Sequence, residues 1–473
     1  MTRLRCAIAL SVLCGCAVGP NYQRPELVTP PTFRDAPEQQ ASIADLPWWE
    51  VFKDDTLQSL VRESLDANRD LATAVANMER SRDVAAVQRG ELFPQVGYVG
   101  IASRGHVASL GALDTQATTT QSFYAGVLNA SWEVDVWGRI RRATEASKAE
   151  MLASDAIRRG VVLSLVTGVA QAYLELRELD LELEISNRTV ESFQKTLDLF
   201  SRQFRGGVTS KLDSLRAEAA LAQAQATVPL VEQRIRAKEN QLAVLLGRAP
   251  GPIPRGAPLL AQPLPPDIPA GVPSLLLERR PDLIEAEQNL VAANAQIGVA
   301  FADFFPRIGL TALYGSVSNE LDQFLHSGTG AWSRAAQAVG PLFTFGRNWY
   351  TWESAKAGNA AAVAQYQQSV LAALADVSNA LTAREKVTAQ RQGLERQVAA
   401  LEESVRLAEK RYLGGLSTYL EVLDAQQQLF PAELALAQAQ RDERLVIVGL
   451  YRALGGGWSQ AGELPTIPQP IAP

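Results

Sequence analysis

The 473-residue sequence is short of the residue types that most site chemistry requires. It has two histidines, His106 and His326, and three cysteines, none later than Cys16. A chain that loses its leader therefore has no pair of thiols for an internal disulfide, whatever its redox compartment. No HExxH, CxxC or phosphate-gripping glycine string occurs, so no catalytic residue, metal ligand or cofactor is expected. No later stretch reaches the run of about 20 apolar residues that a membrane-spanning helix needs. A basic excess is missing too: 45 Lys and Arg stand against 51 Asp and Glu, a net charge of −6, which argues against nucleic acid as a partner. What is present, 47% hydrophobic and 20% charged residues, is the composition of a folded protein.

The first residues read as an export signal, with Arg3 and Arg5 ahead of the apolar run Ala7 to Leu13. Leu13 stands three positions before Cys16 with small residues between, the pattern of a bacterial lipobox. Cys14 is the poorer candidate because bulky Leu13 directly precedes it. Residues 1–15 are thus expected to be a lipoprotein signal peptide, Cys16 the lipidated N-terminus, and 16–54 an extended arm rich in Pro and polar residues. An exported chain without a spanning helix is soluble, lipid-anchored or a β-barrel.

The body of the chain is a tandem repeat, and such a repeat has to be read before any local motif. Gly206-Gly207-Val208-Thr209-Ser210 returns 208 residues later as Gly414-Gly415-Leu416-Ser417-Thr418. Gly138-Arg139 returns as Gly346-Arg347, and Leu246-Gly247 as Leu454-Gly455, at the same offset. Upstream the offset becomes 212, pairing Leu92-Phe93-Pro94 with Phe304-Phe305-Pro306. The repeats are placed at 55–260 and 261–457, followed by a tail at 458–473. Each repeat reads helix, strand, strand, long helix, glycine turn, helix.

The long helices are expected over 139–205 and 347–413, followed by helices over 209–247 and 417–455. In the first, apolar residues alternate at steps of three and four from Val162 to Phe204, with Ser186 the one polar member. That is a heptad seam of coiled-coil type. The second keeps the register from Val363 to Tyr412, broken by Arg384 and Arg391, where a local change of packing or an added element is expected. At 1.5 Å per residue each long helix is a rod of roughly 100 Å.

Strands are expected at 95–104, 124–136, 307–317 and 331–344, with aromatic and β-branched residues such as Tyr124, Val127, Trp132 and Val134. Segments of about ten residues suit tilted strands that cross a bilayer. Four strands are too few to close a barrel, for which about eight is the practical minimum. Open edges in lipid are forbidden because their N–H and C=O groups go unpaired. The chain must therefore share a barrel with copies of itself, eight strands from two chains or twelve from three.

These features resemble the outer-membrane factor (TolC-like) family, and most closely its lipid-anchored OprM/NodT-type branch. The resemblance is carried by Cys16-Ala17-Val18-Gly19-Pro20-Asn21-Tyr22-Gln23-Arg24-Pro25, by Trp132-Glu133-Val134-Asp135-Val136-Trp137-Gly138-Arg139, by Leu276 to Leu283 with Glu285-Ala286-Glu287, by Phe305-Pro306, and by Leu450 to Trp458. It implies an α+β membrane protein: a homotrimer with a 12-stranded β-barrel, continued by a long α-helical coiled-coil barrel and girdled by a mixed equatorial domain. Arg34 to Phe52, Pro250 to Pro273, Arg384 to Arg396 and the tail would lie near that equator. The implied function is the passive outer-membrane exit duct of a tripartite efflux system, lipid-anchored in the cell outer membrane and extending into the periplasm. Its partners would be a periplasmic adaptor and an inner-membrane pump of resistance-nodulation-division type. Two other readings stay open: the duct of a type I protein or peptide secretion system, and a non-conducting structural coiled-coil lipoprotein, which would have no use for four strands.

Function is expected at the glycine turns. Gly206, Gly207 and Val208, and Gly414, Gly415 and Leu416, form two hairpin tips suited to docking the adaptor, with Arg202, Arg205 and Leu413 beside them. Thr418 with Glu421 has the form of a capping box, and Ser210 with Asp213 of a weaker one. Asp213, Glu421 and Asp424 are acidic groups near the tips, with Arg411 and Lys211 as partners and Tyr412, Tyr419 and Leu420 as bulky neighbours. Repeated around an axis, such residues form rings that hold a pore shut. The resemblance makes Leu420 and Asp424 the constricting apolar and acidic rings; Gln427 stands where related channels often carry an arginine. Their repeat counterparts are Leu212 and Arg216.

Overall fold

The computed structural model describes residues 17–27, 53–105, 121–262, 276–326 and 328–456. The leader, Cys16, the arm from 28 to 52, the loop carrying His106, residues 263–275 and the tail lie outside the described residues. Along the chain come α1 (Asp55–Ala67), α2 (Arg69–Gly90), β1 (Gln95–Gly105), β2 (Gln121–Val134), α3 (Arg139–Arg205), α4 (Lys211–Leu245), a 3₁₀ turn (Leu259–Ala261), α5 (Leu276–Arg279), α6 (Pro281–Ala302), β3 (Arg307–Ser318), β4 (Gly330–Val339), α7 (Arg347–Leu413) and α8 (Tyr419–Ala453). The second half repeats the order of the first, and both long helices have 67 residues. Among the described residues no helix is long and apolar enough to cross a membrane.

Three expectations are corrected and a fourth is narrowed. The single helix ahead of each strand pair is two helices, broken at Asn68 and at Arg280, the same repeat position. Asn68 is extended (φ −66°, ψ 132°); its Oδ1 accepts from Leu71 N while its Nδ2 donates to Leu245 O. β4 stops at Val339 rather than at 344, since Pro341 has no N–H for a ladder. β2 runs from Gln121 to Val134 rather than from 124 to 136. Past its end, Asp135 accepts from the N–H groups of Ile140 and Arg141 and so starts α3. Finally, α7 runs unbroken past Arg384 and Arg391. The change there is one of packing alone, with Arg391 Nε donating to Glu443 on α8 at 3.0 Å.

The chain divides into two compact units. One comprises Ala76–Asp155, Glu285–Gln367 and the described part of Met1–Leu27. Its four strands form one antiparallel sheet in the order β1-β2-β3-β4. Because side chains alternate between faces, the ladder assigns every strand residue a side. The row Tyr98, Leu128, Tyr314 and Trp332 crosses all four strands on one face. Val96, Ala130, Trp132, Leu310 and Ile308 share that face. The opposite face carries Gln95, Asn129, Ser131, Thr311, Ser333 and Gln337. One side carries the aromatic row and the other is mixed, with Val99, Val127 and Leu313 among its polar residues. β1 and β4 each pair on one side only among the described residues.

The same unit fixes the segment after Cys16. Val18 N donates to Trp137 O, and Arg142 donates to Val18 O and to Asn21 Oδ1. Tyr22 and Arg24 both donate to Glu287 on α6, the arginine through two bonds of 2.6 and 2.7 Å. Gly19 (φ +93°) lies so near Gly298 that a Cβ would come within 2.5 Å of its Cα. Alanines 146, 149, 292 and 295 form a small-residue contact between α3 and α6.

The other unit comprises Ala156–Ile284, Gln368–Pro473 and Val28–Val75, within the described residues. Here the seam residues Val162, Leu165, Val169, Ala172, Leu176 and Leu179 are buried, as the heptad requires. Ser186, the polar member, satisfies its hydroxyl on Glu182 O, four residues earlier in its own helix. Arg280 ties together Asp282, Asp376 and the carbonyl of Ala453 at the end of α8.

Candidate gate and docking tips

Both long helices end in the same backbone motif. At the first tip Val208 N donates to Gln203 O and Gly207 N to Phe204 O; at the second Leu416 N donates to Arg411 O and Gly415 N to Tyr412 O. This is the paired closure of a Schellman turn. It needs a left-handed residue, supplied by Gly207 (φ 74°) and Gly415 (φ 70°). The flanking apolar residues Val208, Leu413 and Leu416 are exposed.

The helices that follow begin at Lys211 and Tyr419, two residues later than expected, and their caps reverse the expected order of strength. Ser210 accepts from Asp213 N and donates to Asp213 Oδ2 at 2.7 Å. Thr418 makes no side-chain cap bond. Glu421 turns to Arg411 instead, at 3.6 Å, with both side chains exposed. A pair of that kind stabilises by less than about 1 kcal/mol.

The tips are joined by an aromatic group. Phe200, fully buried, lies 4.3 Å from the Tyr419 ring and 6.4 Å from that of Tyr412. Tyr412 donates to Gln203 Oε1, and Tyr419 to Thr196 Oγ1. Burial pushes the Tyr419 hydroxyl up to about 12, against the opposing pull of its bond with Thr196. Beneath it Phe193, Ala220, Leu221, Ala224 and Leu423 form one core cluster. The geometry thus brings together Tyr412, Tyr419, Arg411 and Glu421, and keeps Asp213 on its own helix. Leu420 is 53% exposed, and Asp424, also exposed, accepts from Gln428 Nε2 at 2.7 Å. Gln427 is exposed as well. Leu420 and Asp424, one helical turn apart, therefore sit on the open side of α8, while Val422 and Leu423 face the core. Sequence reasoning missed Thr196, Gln203 and Gln428. The repeat offset pairs Gln203 with Arg411 and was the available signal for one of them.

Further along the same unit lies a buried charge cluster. Glu178 and Glu182 of α3 have side chains 1% and 2% exposed. Arg234 of α4 and Gln438 of α8 donate to Glu182 at 2.6 and 3.0 Å, and Arg441 reaches Glu178 at 3.3 Å. Glu178 Oε1 has no donor. Burial, then the hydrogen bond and charge of Glu182, push the Glu178 carboxyl up to about 8, with Arg441 and Arg234 opposing.

The chain matches the family model described as outer membrane efflux protein over residues 60–248 and 272–456. A toluene efflux pump outer membrane protein of Pseudomonas putida, TtgC, is 34% identical over 468 residues, covering 97% of this chain and 96% of that protein. The cation efflux system protein CusC of Escherichia coli is 31% identical over 453 residues, covering 95% and 97%. Among solved structures, the open state of the MtrE outer membrane channel of Neisseria gonorrhoeae superposes with a TM-score of 0.85 at 34% identity, covering 93% of this chain and 98% of that one.

Proposed function

Since the chain belongs to the outer membrane efflux protein family, we propose that it works as a passive exit duct, three copies closing one barrel. It is an outer-membrane channel component of an efflux system. The observation that carries the trimeric reading is the four-stranded sheet with one aromatic face and two unpaired edges. In a bilayer those edges must be paired, and three copies supply twelve strands, enough for a barrel with an aqueous lumen. The aromatic face then meets lipid and the mixed face lines the passage.

The helix hairpins are the periplasmic end. An adaptor docks on Gly206, Gly207, Val208, Gly414, Gly415 and Leu416, using the exposed apolar residues of the two Schellman turns. Leu420 and Asp424 close the passage there, assisted by Tyr412, Arg411, Glu421 and, on the other hairpin, Asp213. Drive comes from an inner-membrane pump, of resistance-nodulation-division type, because no residue set here couples to an energy source. Cys16 carries the lipid; its neighbours Ala17 and Val18 are clamped at the β2–α3 junction, which suits an anchor beside the membrane. TtgC is named for toluene and CusC for cations, so a shared duct design serves chemically unlike cargo and selection rests with the pump.

The test is reconstitution of the purified protein in planar bilayers, with its mass measured in native form. A conducting species of three chains is expected; a monomer or dimer, or trimers without conductance, would overturn the reading. Mass spectrometry of Cys16→Ser should show the acyl chains gone, and acylation that persists would defeat the lipid assignment.

A further inference from the structure

The connection between β3 and β4 folds back onto the sheet. A Cβ built on Gly126 would come within 2.8 Å of Phe324 Cζ, so the Phe324 ring occupies the space above that glycine. Gly126 is two residues from Leu128 and therefore on the aromatic face. Its ladder partner Ser316 is on that face too. Ser316 Oγ donates to Phe324 O at 2.6 Å, and Thr329 Oγ1 donates to the same carbonyl at 3.0 Å. Two hydroxyls and a glycine thus seat the turn about 7 Å along the strands from the Tyr98–Trp332 row.

The turn is itself two-sided. Leu321, Phe324 and Leu325 recur at the spacing that places side chains on one side of a helical turn, with Asp322 and Gln323 between them and Glu320 just before. Leu321 is 67% exposed and Leu325 88%. Single exposed leucines need no explanation. These two adjoin a face where Tyr98, Leu128, Tyr314 and Trp332 are exposed as well, and contiguous apolar surface of that kind marks a contact. The occupant is set by continuity: whatever covers the row of aromatic side chains also covers the turn.

We propose that the turn at residues 319–326 is a membrane-interface anchor, held against the outer side of the barrel by Phe324, with Leu321 and Leu325 inserted among the acyl chains of the outer leaflet. Amphipathic segments that lie in the interface plane bind in this way, apolar side down and charged side to the headgroups. The inference rests on the outer-membrane reading above, and its test keeps the two apart. Leu325→Cys, Leu321→Cys and Leu128→Cys are each labelled with a polarity-sensitive thiol dye, with the unsubstituted protein treated alike as background. The labelled proteins are reconstituted in phosphatidylcholine vesicles with and without doxyl-labelled lipid. All three dyes should be quenched by the spin-labelled lipid, at positions 321 and 325 by about twofold or more, and should resist aqueous iodide. Adding Phe324→Ala to Leu325→Cys should expose that dye to iodide. Lipid quenching at 128 with iodide quenching at 321 and 325 would overturn the anchor alone. Protection from both quenchers at 321 and 325, the sign of a protein partner or a second copy on the turn, would overturn it too. A dye at 128 that lipid fails to quench would overturn the lipid-facing assignment of the sheet, and the anchor with it.

Discussion

At the first hairpin, between α3 and α4, Ser210 and Asp213 bond to each other and to the start of their own helix. At the second, between α7 and α8, the side chains of the equivalent Thr418 and Glu421 do neither. Glu421 reaches across its hairpin to Arg411, and the place of exposed Lys211 is taken by Tyr419, bonded to the first hairpin through Thr196. The backbone turns are the same. Duplication kept the closure of the turn, which glycine geometry demands, and released the side chains around it. At the first tip the capping pair serves its own helix; at the second the equivalent acid turns to a neighbouring helix. Its cross-hairpin ion pair is exposed and weak, a property that suits the gate proposed above.

The comparison can be broken most severely at Phe200, against which both tyrosines of the second hairpin rest. Phe200→Ala should destabilise the protein by about 3–5 kcal/mol, seen as a lower melting temperature. Ala408→Gly, at the repeat counterpart, should cost only about 1 kcal/mol. Equal losses would mean that the aromatic group does not join the hairpins.

A second asymmetry pairs buried Glu178 with its counterpart Lys386, which is exposed beside Glu385. Burial favours the protonated form of Glu178 in the folded state. Its contribution is complete below the ordinary carboxylate range and is lost as pH rises through about 8. Glu178→Gln, a permanent mimic of the protonated acid, should therefore raise the melting temperature by about 2–4 °C at pH 9 and leave it nearly unchanged near pH 4. Lys386→Gln should show no such dependence. A gain for Glu178→Gln that is the same at both pH values would contradict the buried-proton account.

The smallest effect concerns the caps. Ser210→Ala should cost about 1 kcal/mol, and Thr418→Ala no more than a few tenths, because only the serine makes its bond. Matching melting shifts for the two would show that the caps do not differ in solution.

The long helices were legible to the residue, because a sustained heptad and a closing glycine pair leave little freedom in where a helix runs and stops. The strand pairs were legible too, with ends displaced by a few residues. The breaks at Asn68 and Arg280 were not, since a polar residue inside a helical stretch gives no sign that its side chain will cap the next helix instead. The caps at the tips were ranked by residue type, whereas Glu421 had a competing partner in Arg411 that lies ten residues away in sequence. The string from Ala17 to Pro25 was distinctive by resemblance, and the reason for Gly19, Tyr22 and Arg24 is the side of α6 against which they lie. That surface is formed by residues more than a hundred positions away. Of the proposed gate residues, Leu420 and Asp424 were named from family pattern, and their exposure on α8 opposite Val422 and Leu423 is what the fold adds.

The central claim, that the repeat broke its symmetry to place a gate on the second hairpin, is tested most directly by single-channel conductance in planar bilayers. The doubly substituted Leu420→Ala, Asp424→Ala protein should conduct about threefold or more above the unsubstituted protein, as loss of the two proposed constricting rings requires. The counterpart substitutions Leu212→Ala and Arg216→Ala should leave conductance unchanged. Equal increases in both, or none in the first, would contradict the account.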